Sequence, residues 1–275
     1  MAISRHQLVK ELEPGLNALF GLEYNRYDNQ HAEIYTSESS DRAFEEEVML
    51  SGFGNASVKS EGSGVAFDNA QESYSARYTH ETVALAFAIT EEAIEDNLYD
   101  RISSRYTKAL ARSMSNTKQV KAAAPLNNGL PSVDGFDSGD GVSLFNTSHT
   151  TVSGTSVKNT LTTQADLNET SLEQAMIDIA AMTDERGLRI APKAVKMIVS
   201  ATNQFAAERL MKSQGRTGTA DNDINALGSM GMIPQGYRVN NYLTDTDSFY
   251  IITDVPNGMK MFTRAPLTTA MEGDF

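Results

Sequence analysis

The amino-acid sequence predicts an α+β fold, in which an extended N-terminal region precedes a long helix and a mixed helix–strand region. Three observations support this class. Apolar residues recur every four positions from Ile94 to Met114, which is typical of a helix. Residues 40–80 are polar and rich in glycine. From residue 170 onward, amphipathic helical segments alternate with short apolar segments of strand length.

The first 30 residues have the character of an arm. Leu8, Leu12, Leu16 and Leu19 form a weak helical stripe that Pro14-Gly15 interrupts. A leading segment with anchoring apolar residues but no core of its own usually packs on another surface. We expect that surface to belong to a neighbouring subunit.

Residues 40–80 predict a long excursion from the fold. Gly52, Gly54, Gly62 and Gly64 punctuate it, and apolar residues are sparse. Phe44, Val48 and Met49 at one end, and Tyr74 and Tyr78 at the other, are expected to flank a two-stranded ribbon. A loop of this length without a core is uncommon in a compact domain unless it is functional or disordered, and an isolated ribbon needs a partner surface.

A strand and the long helix are predicted next. Val83, Leu85, Phe87 and Ile89 alternate with alanine, which is strand periodicity. Thr90 then caps a helix that ends near Lys121, with acidic residues in its first turn and basic residues in its second half. At about 1.5 Å per residue this helix is roughly 45 Å long.

The remaining sequence predicts a second, mixed region. Residues 125–141 are rich in turn formers, and residues 145–165 are predicted to be extended or loop. Helices are predicted at 170–186, with a capping box of Thr170 and Glu173, and at 203–211. Strands are predicted at 195–199, 237–243, 249–253 and 259–262, with Asn257-Gly258 as a hairpin turn.

Composition excludes several classes of protein. The formal net charge of −13 argues against a sequence-specific nucleic-acid binder, because such a surface repels phosphates. There are no cysteines, which excludes disulfides, thiolate metal sites and cysteine nucleophiles. No apolar run approaches the roughly 20 residues of a membrane span, and the N-terminus does not have the pattern of a secretory signal. We therefore expect a protein made and used in a cytoplasm.

The order of these elements resembles one family. The segment YSARYTHETVALAFAITEEAIEDNLYDRISSRYTKALARSM and the later INALGSMGMIPQGYRVNNYLTDTDSFYIITDVPNGMKMFTR are similar to parts of the Hong Kong 97-type major capsid proteins of tailed bacteriophages. The resemblance implies an N-terminal arm at 1–30, an extended loop at 31–80, a peripheral domain with a spine helix at 81–122, an axial domain at 123–247 and a return to the peripheral domain at 248–275. Family members commonly continue with further strand residues, so we expect a C-terminus that is truncated or supplied differently.

The resemblance also implies the function. A subunit of this kind forms pentamers and hexamers and then an icosahedral shell, which encloses double-stranded DNA without reading its sequence. The shell is assembled in the cytoplasm of the bacterial host and becomes part of the virion. Portal, scaffold and decoration proteins are further partners that the resemblance suggests. An encapsulin-like compartment, which has the same fold but encloses a cargo enzyme, is the alternative.

No catalytic, cofactor-binding or metal-binding residue is predicted, and a hydrolase with an unrecognised carboxylate site is the less favoured reading. His6, His31, His80 and His149 are not paired at metal-ligand spacing, and the loop of Asp134, Asp137 and Asp140 is predicted to be solvated. Its carboxylates are three residues apart, whereas a calcium loop of the EF-hand type needs them two apart. The glycines at 52, 54, 62 and 64 match no phosphate-binding loop.

Three features of the sequence bear on assembly. Lys59 lies in the excursion, where some similar capsid proteins form an isopeptide bond, but neither a partner asparagine nor a carboxylate to move the proton can be identified. Glu45, Glu46 and Glu47 are predicted to form a solvated face, or to meet arginines of a neighbouring helix. Residues 215–231 are expected to form a mobile tip, and deletion of residues 50–66 to yield a folded monomer that does not assemble.

Overall fold

The computed structural model describes residues 5–90, 99–133, 135–216 and 223–270, with side chains from residue 14 onward and, in the long helix, from residue 103 onward. Its helices are α1 Arg5–Tyr24, α2 Tyr99–Asn127, α3 Glu169–Ala180, α4 Gln204–Lys212 and α5 Ala226–Met230, with a 3-10 turn at Gln30–Glu33. Its strands are β1 Thr36–Ser39, β2 Phe44–Leu50, β3 Glu72–Thr79, β4 His149–Thr150, β5 Ser156–Val157, β6 Ala194–Val199, β7 Tyr237–Val239, β8 Phe249–Thr253 and β9 Lys260–Thr263.

The N-terminal helix α1 packs along the long helix α2 of the same subunit. Contrary to prediction, α1 runs through Pro14-Gly15 without a break. Phe20 of α1 is buried, and just after the helix the His31 backbone N–H donates to the Gln119 side chain on α2 at 3.1 Å. Packing against α2 therefore stabilises a helix whose own sequence is a poor helix former at this point.

The long helix is confirmed, but it continues beyond Lys121 to Asn127 and includes Pro125. Its predicted start at Thr90 borders residues 91–98, which lie outside the described residues. The apolar positions Ile94 and Leu98 lie in that segment. The 29 described residues are about 44 Å long at 1.5 Å per residue. Ala111, Ala122 and Ala123 are buried on the packed face, where their small side chains allow close approach.

A three-stranded sheet in the order β7-β6-β8 forms the centre of the mixed region. The strand β6 runs parallel to β7 and antiparallel to β8. Met197 and Val199 of β6 pack in the cluster with helices α3 and α4, whereas Ile198 belongs to a second cluster with Ile34 and Leu126. The strand is thus buried on both faces, as its uninterrupted apolar run indicates.

The predicted excursion is confirmed as an antiparallel ribbon of β2 and β3, which continues into the loop of residues 51–71. A bulge lies between Val48 and Leu50. At the base of the ribbon, β1 pairs in parallel with β9. Residues 44–79 are the part of the predicted 31–80 region that forms the ribbon and its tip, and in describing the structure we use the name extended loop for residues 44–79.

Three local predictions are wrong. Residues 82–89 form no strand; they are irregular and mostly exposed, because no other strand lies beside them within the described residues. Asn257 does take the positive φ of a turn, but β8 and β9 do not form a hairpin, since they join different sheets. Helix α3 begins after Asn168, whose side chain exchanges capping hydrogen bonds with Ser171, and it ends at Ala180 instead of near Arg186.

Candidate assembly surfaces

The distal part of the extended loop exposes apolar side chains that the subunit does not cover. Val58 is 98% exposed and Phe67 is 97% exposed, and Phe53 and Val65 are also largely exposed. Folded monomers rarely display large apolar groups together, so such a segment indicates a docking element. Lys59 lies in this segment and is exposed.

The base of the extended loop is fixed to the β1–β9 pair by charge and by aromatic packing. Lys260 of β9 forms ion pairs with Glu47 of β2 and, at 3.6 Å, with Glu38 of β1. The rings of Tyr78 and Phe262 lie 5.7 Å apart. These contacts hold the base of the ribbon in place, and the exposed apolar side chains of its tip remain available to bind another molecule.

The acidic run on β2 is paired within the subunit. Glu46 forms an ion pair with Arg77 at 3.0 Å, Glu47 pairs with Lys260, and Glu45 accepts a hydrogen bond from Ser40 at 2.6 Å. These carboxylates stabilise the ribbon itself, while the side chains of Glu46 and Glu47 remain 42% and 38% exposed, so the predicted solvated face is found in part. Contact with a neighbouring helix stays a prediction.

Further apolar side chains are exposed on the segment before the long helix and on the mixed region. Val83, Leu85 and Phe87 alternate along residues 82–89, and the ring of Phe87 lies 5.7 Å from that of Tyr106 on α2. On the mixed region the large exposed apolar side chains are Ile177, Ile190, Phe205, Ile224 and Met230. Several separate surfaces are thus available for contacts with other subunits.

The predicted mobile tip at 215–231 is partly ordered. Gly215 forms an isolated bridge with Ile224, and α5 begins at Ala226 after its cap, Asn225. Asn225 is buried and donates to the backbone carbonyl of Leu210 at 2.7 Å, which holds α5 against the end of α4. Residues 217–222 lie outside the description.

The loop of Asp134, Asp137 and Asp140 is not simply solvated, as the sequence had predicted. The side chain of Asp140 is only 5% exposed, and one of its carboxylate oxygens lies within hydrogen-bond distance of Nδ1 of His149, at 2.8 Å. Ser138 also donates to Asp140. Sequence spacing alone does not reveal this pair, because a turn of the chain between the two residues brings them together only in the folded structure. Asp134 lies outside the described residues.

The extended loop is seated against this turn. The backbone of Gly139 lies so close to the ring of Tyr74 that a Cβ atom at position 139 would be 2.2 Å from the ring. Any larger residue at 139 must therefore displace the ring of Tyr74. The Asp140–His149 pair stabilises this turn, against which Tyr74 of the extended loop packs.

The Asp140 carboxylate should make stability depend on acid. Burial raises its pKa, but hydrogen bonds from Ser138 and His149 and the attraction of the His149 imidazole outweigh burial, so the net pKa lies below its ordinary value of 3.8. A depressed pKa gives stability that is complete above the unfolded-state pKa and is lost as pH falls through the folded-state value. Asp140→Asn should lower the unfolding free energy at pH 7 by about 1–3 kcal/mol.

Chemical denaturation between pH 7 and pH 3 tests this prediction. The difference between the wild type and Asp140→Asn should shrink as pH falls below 3.8. Asp137→Asn, on the same loop, is the matched control and should show a smaller difference at pH 7. A difference for Asp140→Asn that stays constant across this pH range would contradict the role of the carboxylate.

The described residues contain no group of three or more histidine and acidic side chains placed to hold a metal ion. Among the same residues, no helix is long and apolar enough to cross a membrane.

Comparison with known proteins identifies the family of the chain. A family described as phage capsid protein matches residues 73–275. The search of curated proteins found no match.

Among solved structures, the chain is similar to the procapsid of bacteriophage JBD30, with a TM-score of 0.58 and 12% identity over 88% of this chain and 100% of that chain. It is also similar to the bacteriophage JBD30 capsid, with a TM-score of 0.56 and 12% identity over 79% of this chain and 92% of that chain. At this identity the structural likeness shows the fold. The family match and the fold do not favour an encapsulin-like compartment, and they imply a structural role. The chain belongs to the phage capsid protein family and is a major capsid shell protein, a component of the virion.

Proposed function

We propose that the chain builds its shell with the Hong Kong 97-type division of labour. In this proposal residues 1–30 are the N-terminal arm, 31–80 the extended loop, 81–122 the peripheral domain with its spine helix, 123–247 the axial domain, and 248–275 the return to the peripheral domain. The subunits form pentamers and hexamers that close into an icosahedral shell around double-stranded DNA, inside the host cytoplasm.

The apolar exposure of the extended loop is the observation that carries this proposal. Val58 and Phe67 are almost fully exposed at the end of a ribbon whose base is held by Lys260 and by Tyr78. An anchored ribbon with an apolar tip is suited to lie on a neighbouring subunit. Each such contact is weak, but closure into rings and a shell multiplies the contacts.

The arm in this proposal acts first within its own subunit. Helix α1 packs on α2, so the arm is not available along its whole length to bind a neighbouring subunit. Leu22 of α1 remains exposed and is available for contacts with a second subunit.

Additional partners follow from the proposal. One JBD30 capsid structure, with a TM-score of 0.57 and 11% identity over 79% of this chain and 92% of that chain, is decorated with minor capsid protein trimers. By analogy, we propose that a decoration protein binds the outside of this shell. A portal and a scaffold protein complete the expected set.

Electron microscopy of the purified full chain, with size-exclusion chromatography of the same sample, tests the proposed assembly. We expect rings, tubes or closed shells whose amount rises steeply with protein concentration, because many weak contacts form together. Adding host extract with and without DNase treatment to the same sample distinguishes assembly on DNA from assembly that needs no DNA. A monomer at every concentration, both alone and with host extract, would contradict the proposal.

A further inference from the structure

The extended loop touches the mixed region through an ion pair far from its base. Arg186 donates from one terminal nitrogen to both carboxylate oxygens of Asp68, at 2.8 and 2.9 Å. The same carboxylate accepts the backbone N–H of Gly54 at 2.7 Å. Asp68 thus joins the outgoing and returning chains of the loop to each other and to Arg186.

The contact between Asp68 and Arg186 lies beyond the paired part of the ribbon. The ladder of β2 and β3 ends at Leu50 and Glu72, and one more backbone bond joins Ser51 to Gln71. Asp68 and Gly54 lie beyond that point. The bulge between Val48 and Leu50 is a place where the ribbon can bend. A contact beyond a bend determines the direction of everything distal to it, including Val58 and Phe67.

The arginine is held on a rigid turn. The Asp184 side chain accepts the backbone N–H groups of Arg186 at 2.9 Å and Leu188 at 2.7 Å, and Gly187 takes the positive φ of 81° that the turn requires. Glu185 is buried and accepts the backbone N–H of Val152 at 2.8 Å. The Arg186 side chain is only 23% exposed in the folded chain, with Asp68 in contact.

The carboxylate is charged under ordinary conditions. The hydrogen bond from Gly54 is the largest influence on the Asp68 carboxyl and lowers its pKa, and Arg186 acts in the same direction. The ion pair of Asp68 and Arg186 is therefore present near neutral pH.

We propose that Asp68 and Arg186 form a latch that orients the extended loop of the unassembled subunit toward the position from which it engages a neighbour. This inference rests on the proposed role of the loop in assembly. The latch leaves the apolar tip uncovered while limiting the directions that the tip can sample. Association then loses less conformational freedom, because part of the loop is already ordered. Arg186 is a positioning residue, since it acts through the loop.

Two substitutions remove the latch with little other change. Arg186→Gln removes the cation, and Asp68→Asn removes the anion while its amide oxygen still accepts from Gly54. Arg189→Gln is the matched control, because Arg189 lies exposed on the same turn and no ion pair is seen for it among the described residues. All three variants should unfold at the same denaturant concentration as the wild type.

The critical concentration for shell formation is the first measurement. Arg186→Gln and Asp68→Asn should each raise it about fivefold, as expected for the cost of ordering a loop on association. The double variant should be no worse than either single one, since both remove the same contact. Arg189→Gln should match the wild type.

Hydrogen exchange of residues 52–70 in the unassembled chain is the second measurement. Exchange should be faster in both latch variants than in Arg189→Gln. Unchanged exchange and an unchanged critical concentration in Arg186→Gln would overturn the latch, as would additive effects in the double variant. If the wild-type chain forms no shell, the proposed function fails; if it assembles and the variants equal it, only the latch fails.

Discussion

A chain lacking residues 55–66, with Gly54 joined to Phe67 through a short Asn-Gly turn, should fold normally and form no shells. The deleted segment contains Val58 and Val65, which are exposed and add nothing to the core. Gly54 and Asp68 remain, so the contact that closes the ribbon is retained. This deletion is shorter than the deletion of residues 50–66 that the sequence suggested. The longer deletion would also remove Ser51 and its hydrogen bonds to Gln71.

Shell yield by electron microscopy and unfolding in urea are the two measurements for this deletion. The unfolding free energy should stay within about 1 kcal/mol of the wild type, because shortening a surface loop changes the closure entropy only slowly. A full-length variant with serine at positions 58, 65 and 67 is the control that separates apolar contact from loop length. Shells of normal yield and size from the deletion would refute the docking role of the loop.

Leu172→Ala should lower the unfolding free energy by about 3 kcal/mol, within the 2–5 kcal/mol typical of a large-to-small change in a packed core. Leu172 of α3 is fully buried in the cluster that contains Met197 and Val199 of β6. Truncation leaves a cavity against the centre of the sheet, which cannot close without moving α3.

Ile177→Ala is the control on the same helix. Ile177 is 62% exposed, so its truncation should change the unfolding free energy by less than about 0.5 kcal/mol. Denaturant unfolding of both variants under conditions that keep the chain unassembled makes the comparison. Equal destabilisation by the two substitutions would mean that the face of α3 is assigned incorrectly.

We propose that assembly of this protein uses surfaces that the isolated subunit leaves exposed. The extended loop, residues 82–89 and the exposed apolar groups of the mixed region each present side chains that a monomer has no reason to display. Burying them between subunits would give each contact a modest free energy. In this proposal the stability of the particle comes from the number of such contacts.

The elements that sequence predicted correctly are those whose signals are local. The four-residue apolar period indicated α2, and the apolar run at 195–199 indicated β6. The ribbon of β2 and β3 was also predictable, because apolar segments flank a glycine-rich stretch. The use of this ribbon as an assembly element stays a prediction, which rests on its length and its lack of a core.

The tertiary structure decided which distant segments meet. Strand β9 pairs with β1, more than two hundred residues earlier in the chain, so the turn at Asn257-Gly258 separates two sheets instead of making a hairpin. Packing on α2 carries α1 through Pro14. The Asp140–His149 and Asp68–Arg186 pairs likewise depend on folding. Periodicity and turn chemistry report on neighbours along the chain, whereas these contacts arise only when buried surface brings remote residues together.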